Sequence, residues 1–186
     1  RMVERGIIKE EEQELYQFGI RNGMILLLNV VTALVIGLLT EQLAVVAVFT
    51  LSFMVLRSYT GGYHSDSRVF CYLGSNLVLL VPVYTQAVFY KTSLAWLLAV
   101  LLVSAGIIFL LSPMHSKNRK LDKEEQKHFG RKARLIAALE LAVLGILWHA
   151  GQIPYAYAVY TGICITALFM LVGKAQLWIQ SHTENG

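Results

Sequence analysis

The stretch Leu94-Ala-Trp-Leu-Leu-Ala-Val-Leu-Leu-Val-Ser-Ala-Gly-Ile-Ile-Phe-Leu-Leu111 holds no charged residue. As a helix it would be about 27 Å long at about 1.5 Å per residue, close to the roughly 30 Å of a bilayer's hydrocarbon core. It has no polar face to offer water. In lipid, a helix satisfies all of its own backbone hydrogen bonds. The segment therefore predicts an all-α integral membrane protein, and the composition agrees. Of 186 residues, 56% are hydrophobic and 15% charged, with a mean hydropathy of +0.56. Soluble domains are about 45–50% apolar and about 25% charged, so an ordinary soluble domain is excluded. No nucleic-acid partner is expected.

Working outward, six apolar segments can be drawn, at 23–40, 43–56, 69–90, 94–111, 133–150 and 153–172. The second is short for a span. It either tilts in a thinned bilayer or forms a re-entrant hairpin with the first. The connections at 40–42, 91–93 and 151–152 are tight turns, whereas 57–68 and 112–132 are longer and polar. Of the 16 Lys and Arg, all but Lys91 lie towards the N-terminal segment, the two polar loops or the C-terminal end. Cytoplasmic loops carry the Lys/Arg excess. Both termini and both polar loops are therefore expected on the cytoplasmic side of the membrane, with an even number of spans. Tyr84, Tyr90, Trp96, Trp148, Tyr155 and Tyr157 cluster near the opposite ends, where an interfacial aromatic belt belongs.

The chain reads as a single membrane domain over 1–186. Residues 1–20 form a cytoplasmic or interfacial arm, with Val3, Ile7, Ile8, Leu15 and Phe18 on one arc of a helix. They have no apolar core and no small-residue cleavage site, so no signal peptide is expected. The two cysteines, Cys71 and Cys164, fall in apolar segments outside any CxxC pair. Neither a disulfide framework nor a zinc site is expected, and no cofactor is called for.

The chemistry points to Arg57-Ser-Tyr-Thr-Gly61-Gly62-Tyr-His64-Ser-Asp-Ser-Arg-Val-Phe-Cys71. A cysteine nucleophile needs a base or a field that favours its thiolate, and histidine is the usual base. On one unbroken helix His64 and Cys71 would be about 10.5 Å apart along the axis, beyond hydrogen-bond reach. They can meet only if the helix starts between them. Asp66 and Ser67 are good capping residues, which would begin the span near Arg68 and put Cys71 about one turn in. A helix N-terminus favours a thiolate. Gly61 and Gly62 let the preceding loop fold back. Against this stands a plainer alternative, a packing cysteine and a solvated histidine. Cys164, in Gly-Ile-Cys-Ile-Thr without an ionisable neighbour, fits packing. His115 and His128 lack metal-ligand spacing. Glu140 sits inside an apolar segment, where an acid either functions, snorkels or pairs, for example with Arg134.

The pattern Arg57-x6-His64-x6-Cys71, with Gly61-Gly62-Tyr63 before the histidine, resembles the accessory gene regulator B (AgrB) family. The loop Ser112-Pro113-Met-His-Ser-Lys117-Asn118-Arg119-Lys120 is similar to that family's second cytoplasmic loop, except that Asn118 interrupts the basic cluster. The resemblance implies a membrane cysteine endopeptidase with Cys71 as nucleophile and His64 as base. It also implies an AgrD-like quorum-sensing propeptide as substrate, a cyclic thiolactone or lactone product, and a homodimer. Arg57, Gly61, Gly62, Lys117 and Arg119 become the expected substrate-binding residues, although the basic ones could equally serve anionic lipid. Two other classes compete. A small transporter would show paired broken helices and several embedded polar groups. A scaffold would leave Cys71 inert.

Overall fold

The computed structural model describes residues 13–61, 68–114 and 122–183. They form seven helices: α1 Gln13–Leu39, α2 Leu43–Thr60, α3 Arg68–Tyr84, α4 Gln86–Lys91, α5 Leu94–Leu111, α6 Lys123–His149 and α7 Ile153–Thr183. No strand occurs among the described residues, and the fold is all-α as expected. Three helices are long and apolar enough to cross a membrane: α2, α5 and the stretch Ile153–Ile179 of α7. The apolar parts of α1 and α3, Gly23–Leu39 and Tyr72–Tyr84, are shorter.

α7 is the hub. Its apolar stretch is 67% buried, against 22% for α5, because α2, α5 and α6 all pack on it. Lipid gives helices no hydrophobic reason to associate, so close packing must hold them together. Gly162 shows how close the approach is. A Cβ there would fall 2.6 Å from Ser52 Oγ on α2. One core group gathers Val46, Phe49, Leu79, Phe89, Tyr157 and Ala158. A second gathers Leu56, Leu101, Ile108, Ala137, Ile163 and Met170.

Beside Gly162, Ser52 Oγ donates to Glu140 Oε2 at 2.8 Å, joining α2 to α6. Among the described residues this hydroxyl is the partner of Glu140, and the suggested pairing with Arg134 is not made. Arg134 Nε instead donates to the Phe109 carbonyl at 3.1 Å. Ser52→Ala should lower stability by roughly 1–3 kcal/mol, since it strands a half-buried acid without its donor. Adding Glu140→Leu should recover part of that loss. Thermal melts of the single and double variants in detergent check this, and strictly additive losses would contradict a direct pair.

The structure departs from the sequence expectations in several places. First, α2 continues through Arg57 to Thr60, so Arg57 is helical and not in the polar loop. The helix stops at Gly61, whose φ of 71° favours glycine. Second, α6 begins at Lys123, well inside the segment 112–132 expected to be loop. Asp122 caps it by accepting from the Glu125 N–H at 2.8 Å. Third, residues 13–20 of the arm are continuous with α1 and do not form a separate surface helix.

Fourth, the segment 69–90 is broken between α3 and α4 at Thr85. Buried Pro82 lacks the N–H that would continue the ladder. Thr85 Oγ1 donates to the Val81 carbonyl at 2.8 Å, and the Tyr157 hydroxyl lies 2.6 Å from that Oγ1. Fifth, Tyr157 is only 2% exposed and packs on Phe89 at 4.9 Å between ring centroids. It is core, not belt, and its hydroxyl bonds Thr85 where α3 ends. Tyr84, Tyr90 and Trp96 do face outward.

Candidate functional site

Alternating helices bring the two polar connections to one end of the bundle, and the backbone joins them there. The Met114 N–H donates to the Thr60 carbonyl at 2.9 Å. Gly61 sits directly beneath: a Cβ on it would lie 2.7 Å from the Met114 oxygen. Only glycine satisfies both the positive φ and this contact. Gly61 therefore works by letting the connection after α2 touch the one after α5. That is a structural role beside the substrate-binding one the sequence suggested.

Arg57 ties the same end together. It lies in the last turn of α2, and its Nη1 donates to the Gly61 carbonyl at 3.3 Å. Its guanidinium stacks over Phe169 of α7 at 4.7 Å and lies 6.0 Å from the Phe53 ring. A planar cation on aromatic faces is held more firmly than a solvated one. Whatever Arg57 does for a ligand, it does from a fixed position that also sets the Gly61 turn.

The opening turns of α6 lean on this end as well. Phe129 packs on Tyr59 at 6.3 Å, and Lys132 Nζ lies 5.8 Å from the Tyr59 ring. Lys127, Arg131 and Lys132 thus stand on a helix beside the loop junction, where a polar basic loop was expected. The sequence did carry a signal for this. Asp122-x-x-Glu125 is a capping-box pattern ahead of an amphipathic run.

Cys71 falls in the first turn of α3, which is described from Arg68 onward. First-turn amides have no intrahelical acceptor and favour negative charge nearby. His64, Gly62, Lys117 and Arg119, the Asp66/Ser67 cap and the side-chain geometry of the His64–Cys71 pair lie outside the described residues. Cys164 is half-buried in mid-α7 with Ser104 and Tyr160 as neighbours, a packing position. Among the described residues no three His, Cys, Asp or Glu side chains group as a metal site would.

Comparison with known proteins agrees with the motif. The model of the family described as "Accessory gene regulator B" matches residues 1–171. The chain is 26% identical over 156 residues to accessory gene regulator protein B of Staphylococcus intermedius, covering 82% of this chain and 80% of that one. It is 24% identical over 131 residues to AgrB-like protein 2 of Clostridium perfringens (strain 13 / Type A), covering 67% of this chain. A second AgrB-like protein, from C. perfringens strain SM101, matches at the same identity and coverage. The chain spans 61% of the length of each of these two clostridial relatives. No solved structure matches. With the family model covering nearly the whole chain, and with the Gly-Gly-Tyr-His and Cys motif within the matched region, this protein belongs to the accessory gene regulator B family.

Proposed function

We propose that the protein is a membrane-embedded cysteine endopeptidase that matures an AgrD-like propeptide into a cyclic autoinducing peptide. The observation that carries this is the place of Cys71, in the opening turn of α3 and seven residues after His64, within the matched family region. His64 takes the thiol proton as the Cys71 sulfur attacks the scissile carbonyl. The C–N bond breaks, a C–S bond forms, and the proton passes to the leaving amine. The peptide is left as a thioester on Cys71. A Cys or Ser side chain within the same peptide then attacks that thioester. The enzyme C–S bond breaks, Cys71 regains its proton, and a thiolactone or lactone ring leaves.

The exchange is chemically modest. Its difficulty lies in holding the peptide folded back while water is kept away. The loop end offers supports for both. Arg57 is fixed on Phe53 and Phe169, the Gly61–Met114 junction closes one side, and α6 brings Lys127, Arg131 and Lys132 alongside. The embedded Glu140 and the break at Thr85 favour transport as a second reading. Against it, among the described residues the break in α3 has no counterpart in another long helix.

The test is thiol reactivity in membrane vesicles of known orientation. A membrane-impermeant maleimide applied from the cytoplasmic side should label Cys71 at least about tenfold faster than Cys164, because only a thiolate near a helix N-terminus reacts quickly at neutral pH. Equal slow labelling would count against a nucleophilic Cys71. Labelling only from the outer side would reverse the expected topology.

A further inference from the structure

A seam of polar side chains runs between α1 and α3, which pack together and of which α3 carries Cys71. Thr32 Oγ1 donates to the Leu28 carbonyl at 2.8 Å and lies 2.9 Å from the Tyr72 hydroxyl. A hydroxyl has one proton. That of Thr32 is engaged on Leu28, so in the contact between the two hydroxyls Tyr72 is the donor. The Asn76 side-chain amide, one turn further along α3, also hydrogen-bonds the Tyr72 phenol. Its Oδ1 has no partner, so the bond comes from its NH2 group. The chain of donors therefore runs one way, from Asn76 through Tyr72 and Thr32 to the Leu28 carbonyl.

Two acceptors are left over. Asn76 Oδ1 and Asn29 Oδ1 are both buried, and neither has a partner among the described residues. Asn29 lies three residues before Thr32, on the same side of α1. Buried amide oxygens without donors are unfavourable anywhere and more so inside a bilayer, where no solvent stands in. Two of them flanking one hydrogen-bonded pair mark a seam built to be completed by something else. The completing group must bring N–H or O–H donors. Phosphate and ester oxygens of lipids only accept, so lipid headgroup phosphates do not answer the need. A primary amide is the complement of a peptide group, since its carbonyl accepts the peptide N–H and its NH2 can return a bond to the peptide carbonyl.

We propose that the α1–α3 seam is a subsite for the backbone of the peptide substrate, with Asn29 and Asn76 accepting hydrogen bonds from its N–H groups. The proposal rests on the peptidase reading and adds the route by which the peptide is held. Tyr72 follows Cys71 directly in the chain. A peptide bonded along the seam therefore passes the opening turn of α3, where the nucleophile is proposed.

The experiment uses the full chain with Cys71→Ala, so that substrate is bound and not consumed, together with the cognate propeptide carrying an epitope tag. Retention of the propeptide after detergent extraction is compared at matched membrane levels. Asn29→Leu and Asn76→Leu should each reduce retention about tenfold, the effect of removing one well-placed hydrogen bond to a ligand. Asn29→Leu should not lower the thermal midpoint, because no bond within the protein is lost. Unchanged retention, while the chain with Cys71 intact still cleaves, would overturn the seam and leave the peptidase standing. A parent chain that neither retains nor cleaves the propeptide would remove both. Loss of self-association and of the thermal midpoint in Asn29→Leu would assign the amide to contact between copies of the chain, and would also overturn the proposal.

Discussion

Cys71→Ser is expected to release propeptide tail at least roughly three orders of magnitude more slowly than the parent chain, at equal membrane abundance. Serine keeps the size and a nucleophilic atom. Its hydroxyl is a far weaker acid than a thiol, so a histidine that can activate Cys71 cannot do the same for serine. The ring-closing step suffers too, because an oxygen ester exchanges with an incoming thiol less readily than a thioester. His64→Ala should lose about 10²–10⁴, the usual contribution of a positioned base. The double variant should be no worse than Cys71→Ser alone, since members of one catalytic unit are not additive. Cys164→Ser should cleave at the parental rate, because it packs in mid-α7 beside Ser104 and Tyr160. Tail release is followed by gel mobility after co-expression. Full cleavage by Cys71→Ala at matched abundance would end the peptidase reading in favour of transport.

Gly61→Ala should be the most damaging single-methyl change at the loop end. At φ 71° an alanine is strained by about 1–3 kcal/mol before any contact is counted. Its methyl would also meet the Met114 carbonyl at 2.7 Å, and that oxygen is backbone, which cannot simply swing aside. Relief requires the connection after α5 to move. That would break the Thr60–Met114 hydrogen bond and shift the carbonyl that Arg57 grips. Both the thermal midpoint in detergent and propeptide cleavage should therefore fall together. Gly145→Ala is the matched control. That site on α6 is open, with nothing near the added methyl, and removing a mid-helix glycine should stabilise by about 0.5–1 kcal/mol. A Gly61→Ala chain as stable and active as the control would mean that the two connections do not depend on their contact.

Much of the bundle was legible because lipid simplifies the code. An uncharged run as long as Leu94–Leu111 has one stable outcome, and the tight turns at 40–42 and 151–152 stand out between such runs. What escaped was non-local or masked by composition. The break at Thr85 sits inside a segment long enough to be read as one span despite Pro82, and the residue that Thr85 bonds across the bundle, Tyr157, is 72 residues away. The partner of Glu140 is 88 residues distant, so no window along the chain could find it. The first turns of α6 look like a polar loop because Lys and Glu dominate them. Only the Asp122 cap gives them away. At the site, the motif drew attention to Arg57 and Gly61 as candidate substrate-binding residues. It could not say that they bond each other, or that Phe169 from the far end of the chain holds the guanidinium.

The central place of α7 has a consequence for biogenesis. Helices enter the bilayer in the order they leave the ribosome, and α7 is the last of the seven. Until it arrives, α2, α5 and α6 lack their main common neighbour, the Gly162 crossing with Ser52 does not exist, and Tyr157 is not there to bond Thr85. Until then the nascent protein waits in the membrane as a looser set of helices, held in part by the Ser52–Glu140 bond between α2 and α6. Synthesis interrupted before Ile153 should therefore yield a fragment that membrane proteases clear quickly. Assembly of the described bundle is therefore deferred until α7 has entered the membrane.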